Sequence, residues 1–427
     1  VQRRLDENVA IYVHPRSFAT HFQLERPYPF SMTYNFDRII DRRRTDSAKW
    51  NRYPEDVLPL WVADMDFTAP EPVIRALRDY VEQGLFGYAL SAPQELREVI
   101  VARLEQLYSW HVAPDALVFP AGVVVGYDQA CHALLGPTDG LLIQTPVYPP
   151  FLSAAKWAGA QSQEMELTRQ ADGYYIVDLD RFEAAITEHT RAFLLCNPHN
   201  PVGRVFTPAE LTAMAEICLR HDITIISDEI HCDLIYSGYR HTPIASLSPE
   251  IEARTITVMA PSKTYNIPGL GCAVAIIPNK ELRKRYQEAH KGLASHVNNL
   301  GYVGALAAYR DGQPWLEACL RYLEANRDFV YRYVATHLPG ISVSPMEGTY
   351  LAWLDCRQAG LPAEMLPGKF FLEKAKVALN EGATFGKGGE GFVRLNFGCP
   401  RAILEQALDR MREALRGTLE RWVVVTW

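Results

Sequence analysis

The sequence contains no run of about eighteen apolar residues and no hydrophobic core near its start, so neither a membrane span nor a secretory signal is expected. Its eight cysteines are scattered without a CxxC pair. That spacing argues against a metal site or a disulfide framework and for reduced, buried thiols in a cytoplasmic protein. There is no internal repeat and no low-complexity tract. Strong positive charge is also missing: the net charge is −7, and the densest basic run is Arg42-Arg43-Arg44, read here as a solvated helix end. Neither nucleic acid nor a membrane surface is an expected partner.

What remains is the profile of a soluble globular chain: 427 residues, 48% hydrophobic and 22% charged. That length exceeds one ordinary core, and two domains are expected. Residues 1–31 lack periodicity and read as an extension. Residues 32–75 read as a segment joining the smaller domain, 76–315 as a large domain and 316–427 as a small α+β domain.

From about residue 70, helical periodicity alternates with short apolar runs. EPVIRALRDYVEQG reads as a helix entered through Pro72 and closed by Gly84. ALVFP, GLLIQTP, RAFLLCN, ITIISDE and TITVMAP read as strands, separated by helical stretches such as VVVGYDQACHALL and PAELTAMAEICLRH. Continuous rather than alternating apolar strands are what a mostly parallel sheet covered on both faces requires. The fold class is therefore α/β, a large sheet flanked by helices.

In such sheets ligands bind beyond the carboxyl ends of the strands. Those ends carry Gly122 and Val123, Tyr148, the loop Asn197–Gly203 with Asn200, Asp228, and Ser262 with Lys263. Together they match the needs of pyridoxal phosphate. Lys263, set against Ile256, Val258 and Ile267, supplies an amine whose pKa burial would lower. Asp228 supplies a carboxylate for the pyridine nitrogen, and Asn200 a donor for the phenolic oxygen. Tyr148 is placed to lie on the ring. Backbone N–H groups of Gly122 and Val123 at a helix start, with the Ser262 hydroxyl, suit a phosphate.

With these residues in place, the chain resembles the fold-type I pyridoxal-phosphate enzymes and, within them, the carbon–sulfur β-lyase branch. The resemblance rests on SAKWNRYPEDVLPLWVADMDF at 47–67, FGY at 86–88, PVYPPF at 146–151, NPHNPVGRVF at 197–206, SDEIHCDL at 227–234, APSKTYNIPGL at 260–270 and FVRLNFGCPR at 392–401. It implies that Lys263 is the Schiff-base lysine and acid/base catalyst, with Asp228, Asn200 and Tyr148 in the roles above. It further implies that Arg394 holds the substrate α-carboxylate and that Ala63 lines the same pocket. Tyr88 would reach the active site of a second copy, giving a homodimer with shared sites.

Three positions depart from the wider superfamily. His231 stands where many aminotransferases have tyrosine, which fits the lyase branch and places it beside the cofactor. Gly271 stands where a phosphate-binding arginine is common, and Ala260 where a hydroxyl is common. Phosphate binding is then expected to rest on backbone amides, Ser262 and Tyr88. Substrate side-chain choice is expected from the loop bearing Trp61, Asp64, Met65 and Asp66. The implied reaction is α,β-elimination from a small cysteine-type amino acid. Transamination by the same residues is the alternative, and a regulatory role through partner binding is a further one.

Overall fold

The computed structural model describes residues 34–89, 91–289 and 296–424, the last seven of these as backbone only. The expected extension at 1–31 lies outside the described residues, as do the side chains of the C-terminal RWVVVTW.

Seven strands form the main sheet: β1 (Leu117–Val118), β2 (Gly140–Thr145), β3 (Gln161–Glu166), β4 (Thr190–Cys196), β5 (Thr224–Asp228), β6 (Thr255–Met259) and β7 (Val274–Ile276). Their order is β1-β7-β6-β5-β4-β2-β3. β2 to β6 pair in parallel, and β7 runs antiparallel to both β6 and β1. The five strands read from the sequence are all present. β3 and β7 were not anticipated. β3 is an edge strand, QSQEME, with Gln161 and Ser162 exposed and only Met165 buried, so it lacks the apolar run that marks its neighbours. β7 has three residues, too few for any period to register.

Every residue of β2, β5 and β6 is buried, and successive residues serve opposite cores. Leu141, Ile143, Leu194 and Ile226 pack with Val123, Tyr127 and Ala130 of the helix Val123–Leu134. Leu142, Phe193, Leu195 and Ile225 pack on the other face with Leu211 and Met214 of the helix Pro208–Arg220. That second helix opens with a full capping box between Thr207 and Glu210, which satisfies two otherwise orphaned backbone donors. Two faces buried at once is the physical reason the strands read as unbroken apolar runs.

A second sheet holds β8 (Ser342–Val343), β9 (Leu351–Asp355), β10 (Asn380–Glu381) and β11 (Phe392–Asn396), in the order β8-β9-β11-β10 and antiparallel throughout. The segment Leu58–Pro59 pairs in parallel with Val377–Ala378. The N-terminal loop 60–67 is thereby carried past β11, where Asn396 N–H donates to the Leu60 carbonyl. This crossing sets Trp61 to Ala63 beside Arg394.

Candidate active site

The parallel register brings the polar strand ends level with one another. Asp228 pairs with Cys196 on one side and Val258 on the other. A cavity of about 320 Å³ opens there, lined among others by Ala63, Val123, Tyr148, Asn200, Asp228, His231, Ser262, Lys263 and Arg394. Of the anticipated residues, Gly122 stands one position before Val123, at the cap of its helix. Tyr88 does not line this cavity and is fully exposed.

Asp228 is buried, and its Oδ1 accepts the Ile230 N–H at 3.0 Å. Burial pushes its carboxyl up to about 7, with Glu229 adding to the rise and Ile230 and Lys263 opposing it. Lys263 sits in the short helix Pro261–Thr264 after β6, and its Nζ donates to the Ala63 carbonyl at 2.5 Å. Burial lowers this amine to about 8. Arg394 lowers it further, while Asp64 and Asp228 pull the other way. An amine with its pKa this near neutrality has a far larger neutral fraction at physiological pH than an ordinary lysine, and that fraction can act as nucleophile and base.

Arg394 lies on β11 and is buried. One guanidinium nitrogen donates to Asn200 Oδ1 at 2.9 Å, and the other to Asn380 Oδ1 at 2.7 Å and the Trp61 carbonyl at 3.0 Å. Its Nε has no hydrogen-bond partner among the described residues. Burial lowers its pKa to about 10, so it stays a cation at neutral pH. Because Arg394 occupies the Asn200 oxygen, the Nδ2 of that amide is left to donate to a ligand. Tyr148 caps the helix Pro149–Trp157, and its backbone N–H donates to the Asn200 carbonyl at 3.0 Å. Burial raises its phenol, which therefore stays neutral. Burial lowers His231 to about 3, with Lys263 and Arg394 adding to the effect, and its Nδ1 is unpartnered.

These residues fit pyridoxal phosphate. A buried carboxylate with no ion-pair partner among the described residues, a buried lysine of lowered pKa and two orphaned buried nitrogens, on His231 and Arg394, are each costly unless a polar ligand meets them. The phosphate end would meet the start of the helix Val123–Leu134, where Gly122 leaves open space. Gly271 has φ +61° and a β-carbon there would stand 3.1 Å from the Ala121 carbonyl, against the same loop.

Three expectations are corrected or extended by the structure. Arg42 and Arg43 are not a solvated helix end. Arg42 pairs with Asp64 at 2.8 Å and Asp66 at 2.6 Å, and Arg43 donates to the carbonyls of Trp50, Glu55 and Val57; Arg44 alone is solvated. The carboxylate partners of Arg42 lie 22 and 24 residues on, a pairing no local pattern announces. Secondly, Asp64, Met65 and Asp66 do not line the cavity. Met65 and Asp66 are buried, and Asp66 Oδ2 accepts from the fully buried Lys49 Nζ at 2.8 Å. This loop is a support: Lys49 and Asn396 also bond its backbone, as does Asn266. Thirdly, Trp61, Asn380 and Phe385 line the cavity; of these, Asn380 and Phe385 were not foreseen. Asn380 lies on a two-residue strand, and its only signal would have been Arg394 needing an acceptor.

The model of the family described as "Aminotransferase class I and II" matches residues 55–411. Cystathionine beta-lyase PatB of Bacillus subtilis (strain 168) is 37% identical over 389 residues, which cover 89% of this chain and all of the relative. The crystal structure of cystalysin from Treponema denticola, which contains a pyridoxal 5'-phosphate cofactor, superposes with a TM-score of 0.87 at 34% identity, covering 90% of this chain and all of that one. An aspartate aminotransferase of Pyrococcus abyssi (strain GE5 / Orsay) is 28% identical, over 85% of this chain and 92% of its own length.

Proposed function

This chain belongs to the class I and II aminotransferase family, and we infer that the residues around its cavity carry out carbon–sulfur bond elimination. It is a pyridoxal-phosphate-dependent β-lyase that converts cystathionine or a cysteine S-conjugate, with water, to a thiol, pyruvate and ammonia. The observation that carries the assignment of roles is the meeting of Lys263, Asp228, Asn200 and Arg394 around one cavity.

When bound, pyridoxal phosphate supplies an electron sink to the substrate α-carbon. Lys263 would carry it, the Asp228 carboxylate would pair with its ring nitrogen, and Asn200 Nδ2 would donate to its phenolic oxygen. Tyr148 would cover its ring, His231 would meet it as a neutral imidazole, and Gly122, Val123 and Ser262 would hold its phosphate. Arg394 binds the substrate α-carboxylate through its planar fork. Asn200, Asn380 and the Trp61 carbonyl hold that fork in place. Lys263 Nζ takes the α-proton; with a pKa of about 8 the amine is neutral often enough to accept it. The electron pair of that C–H bond then expels the thiolate from Cβ, and the three-carbon enamine left behind is hydrolysed to pyruvate and ammonia.

A panel of thioether amino acids assayed for pyruvate and thiol, with Lys263→Ala as control, tests the assignment. Cofactor binding with neither product would sink it. Conversion of the cofactor to its amine form by an amino acid alone would favour transamination instead.

The same reading includes a homodimer with shared sites. Its support is the exposed apolar group Val81, Leu85, Phe86 and Tyr88, a surface that a second copy would cover. Sedimentation at a single boundary of monomer mass would refute it. A cytoplasmic location is supported by eight buried, free cysteines. A division into a segment 32–75, a large domain 76–315 and a small domain 316–427 is supported by the separation of the two main sheets along the chain, within 117–276 and 342–396.

A further inference from the structure

The cavity shares two walls with a second, open groove of about 590 Å³: Trp61 and Asn380 line both. Asn51, Arg52, Tyr53, Glu381 and Thr384 contribute to its other sides. The partition is built rather than incidental. Trp61 donates from Nε1 to the Lys49 carbonyl at 3.1 Å and meets the Tyr53 ring edge-on at 6.0 Å, while Asn380 Oδ1 is held by Arg394.

Charge in the groove is one-sided. Arg52 is exposed, and no ion pair or hydrogen bond engages its guanidinium among the described residues. Glu381, the other ionisable group with a charge, is turned into the protein. Its Oε2 accepts the Gly368 N–H at 2.8 Å, its Oε1 is buried, and burial raises its pKa. The groove therefore offers a cation, amides and hydroxyls to whatever leaves the cavity past Trp61. The inner space of about 320 Å³ must take both the cofactor and the amino-acid head of the substrate, so a long substituent on sulfur has to extend outside it.

We propose that this groove is a subsite for the leaving thiol, selective for one that ends in a carboxylate, with Arg52 as the recognising residue. The proposal rests on the β-lyase reading. It identifies the preferred substrates as cysteine S-conjugates whose sulfur substituent carries a terminal anion, over neutral alkyl or aryl conjugates.

The test uses the holoenzyme and pairs of straight-chain α-amino acids that lack sulfur and cannot eliminate. The members of each pair differ only in ending in a carboxylate or a primary carboxamide. Binding is followed by the change in cofactor absorbance. The wild type should bind the carboxylate member about three- to fivefold more tightly at one chain length, the scale of an exposed ion pair. Arg52→Gln should abolish that preference, and Arg52→Lys, which keeps the charge, should retain it. Equal binding of the pair at every chain length, or a preference that survives in Arg52→Gln, overturns the proposal. Because no bond is cleaved, this outcome is separate from failure of the lyase reading, which would show as absence of pyruvate from thioether substrates.

Discussion

Replacing Asp228 by asparagine should stabilise the cofactor-free protein while crippling the loaded enzyme. In the cofactor-free protein the buried carboxylate is raised from an ordinary 3.8 to about 7. At about 1.4 kcal/mol per tenfold change in proton affinity, burying it ionised costs roughly 4 kcal/mol. The sign follows from the direction of the shift. Between about 4 and 7 the folded state holds a proton that the unfolded state has released, so the penalty is complete above pH 7 and fades as the pH falls toward 4. Asparagine keeps the acceptor for the Ile230 N–H and never ionises. With an unfolding entropy of about 2 cal/mol/K per residue, 4 kcal/mol is roughly 5 °C of Tm for a chain of this length. Thermal unfolding of both proteins, stripped of cofactor, should show that gain at pH 8 and only about a quarter of it at pH 4.5. With cofactor bound the order should reverse, because asparagine cannot pair with a ring cation. A cofactor-free Asp228→Asn protein no more stable than wild type at pH 8, or a gain that does not shrink with acid, would refute the reasoning.

Other expectations can be measured as readily. The rate at which cofactor-free protein takes up pyridoxal phosphate should rise about fivefold from pH 7 to pH 8 and level off by pH 9, since burial lowers the Lys263 amine to about 8. A rate still climbing above pH 10 would mean an ordinary lysine. Arg394→Lys keeps the charge but cannot span Asn200, Asn380 and the substrate together; kcat/KM should fall about a hundredfold, chiefly through KM. Lys49→Met removes a fully buried cation from Asp66, leaving Arg42 and Trp50 as its partners. Thermal unfolding should show a loss of about 3 kcal/mol, together with a weaker kcat, because the loop that receives Lys263 and Arg394 loses a tie. Unchanged kcat alongside lowered stability would confine Lys49 to a structural role.

Much of this is legible in the amino-acid sequence. The unbroken apolar strands, the helices capped by proline and glycine, and the polar residues just past each strand end specify a parallel sheet and its ligand rim by local chemistry alone. Lys263, Asp228, Asn200 and Tyr148 could be named because each ends or closely follows a strand, and strand ends in such a sheet converge. Arg394 and Ala63 came only through resemblance, since both reach the cavity from elements far along the chain from the main sheet.

The sequence by itself determined the elements, the rim and the kind of cofactor, because backbone periodicity and turn chemistry act over a few residues. Tertiary structure decided the rest. It turned Arg42 from an expected surface charge into a clamp on Asp64 and Asp66, and it buried Lys49 against the same carboxylates. It also set Asn380 against Arg394 and joined the cavity to a groove behind Trp61. Each of these pairs residues that are distant in sequence. Their charges and hydrogen bonds carry no local signature, because what makes them strong is the exclusion of water once the two segments have met.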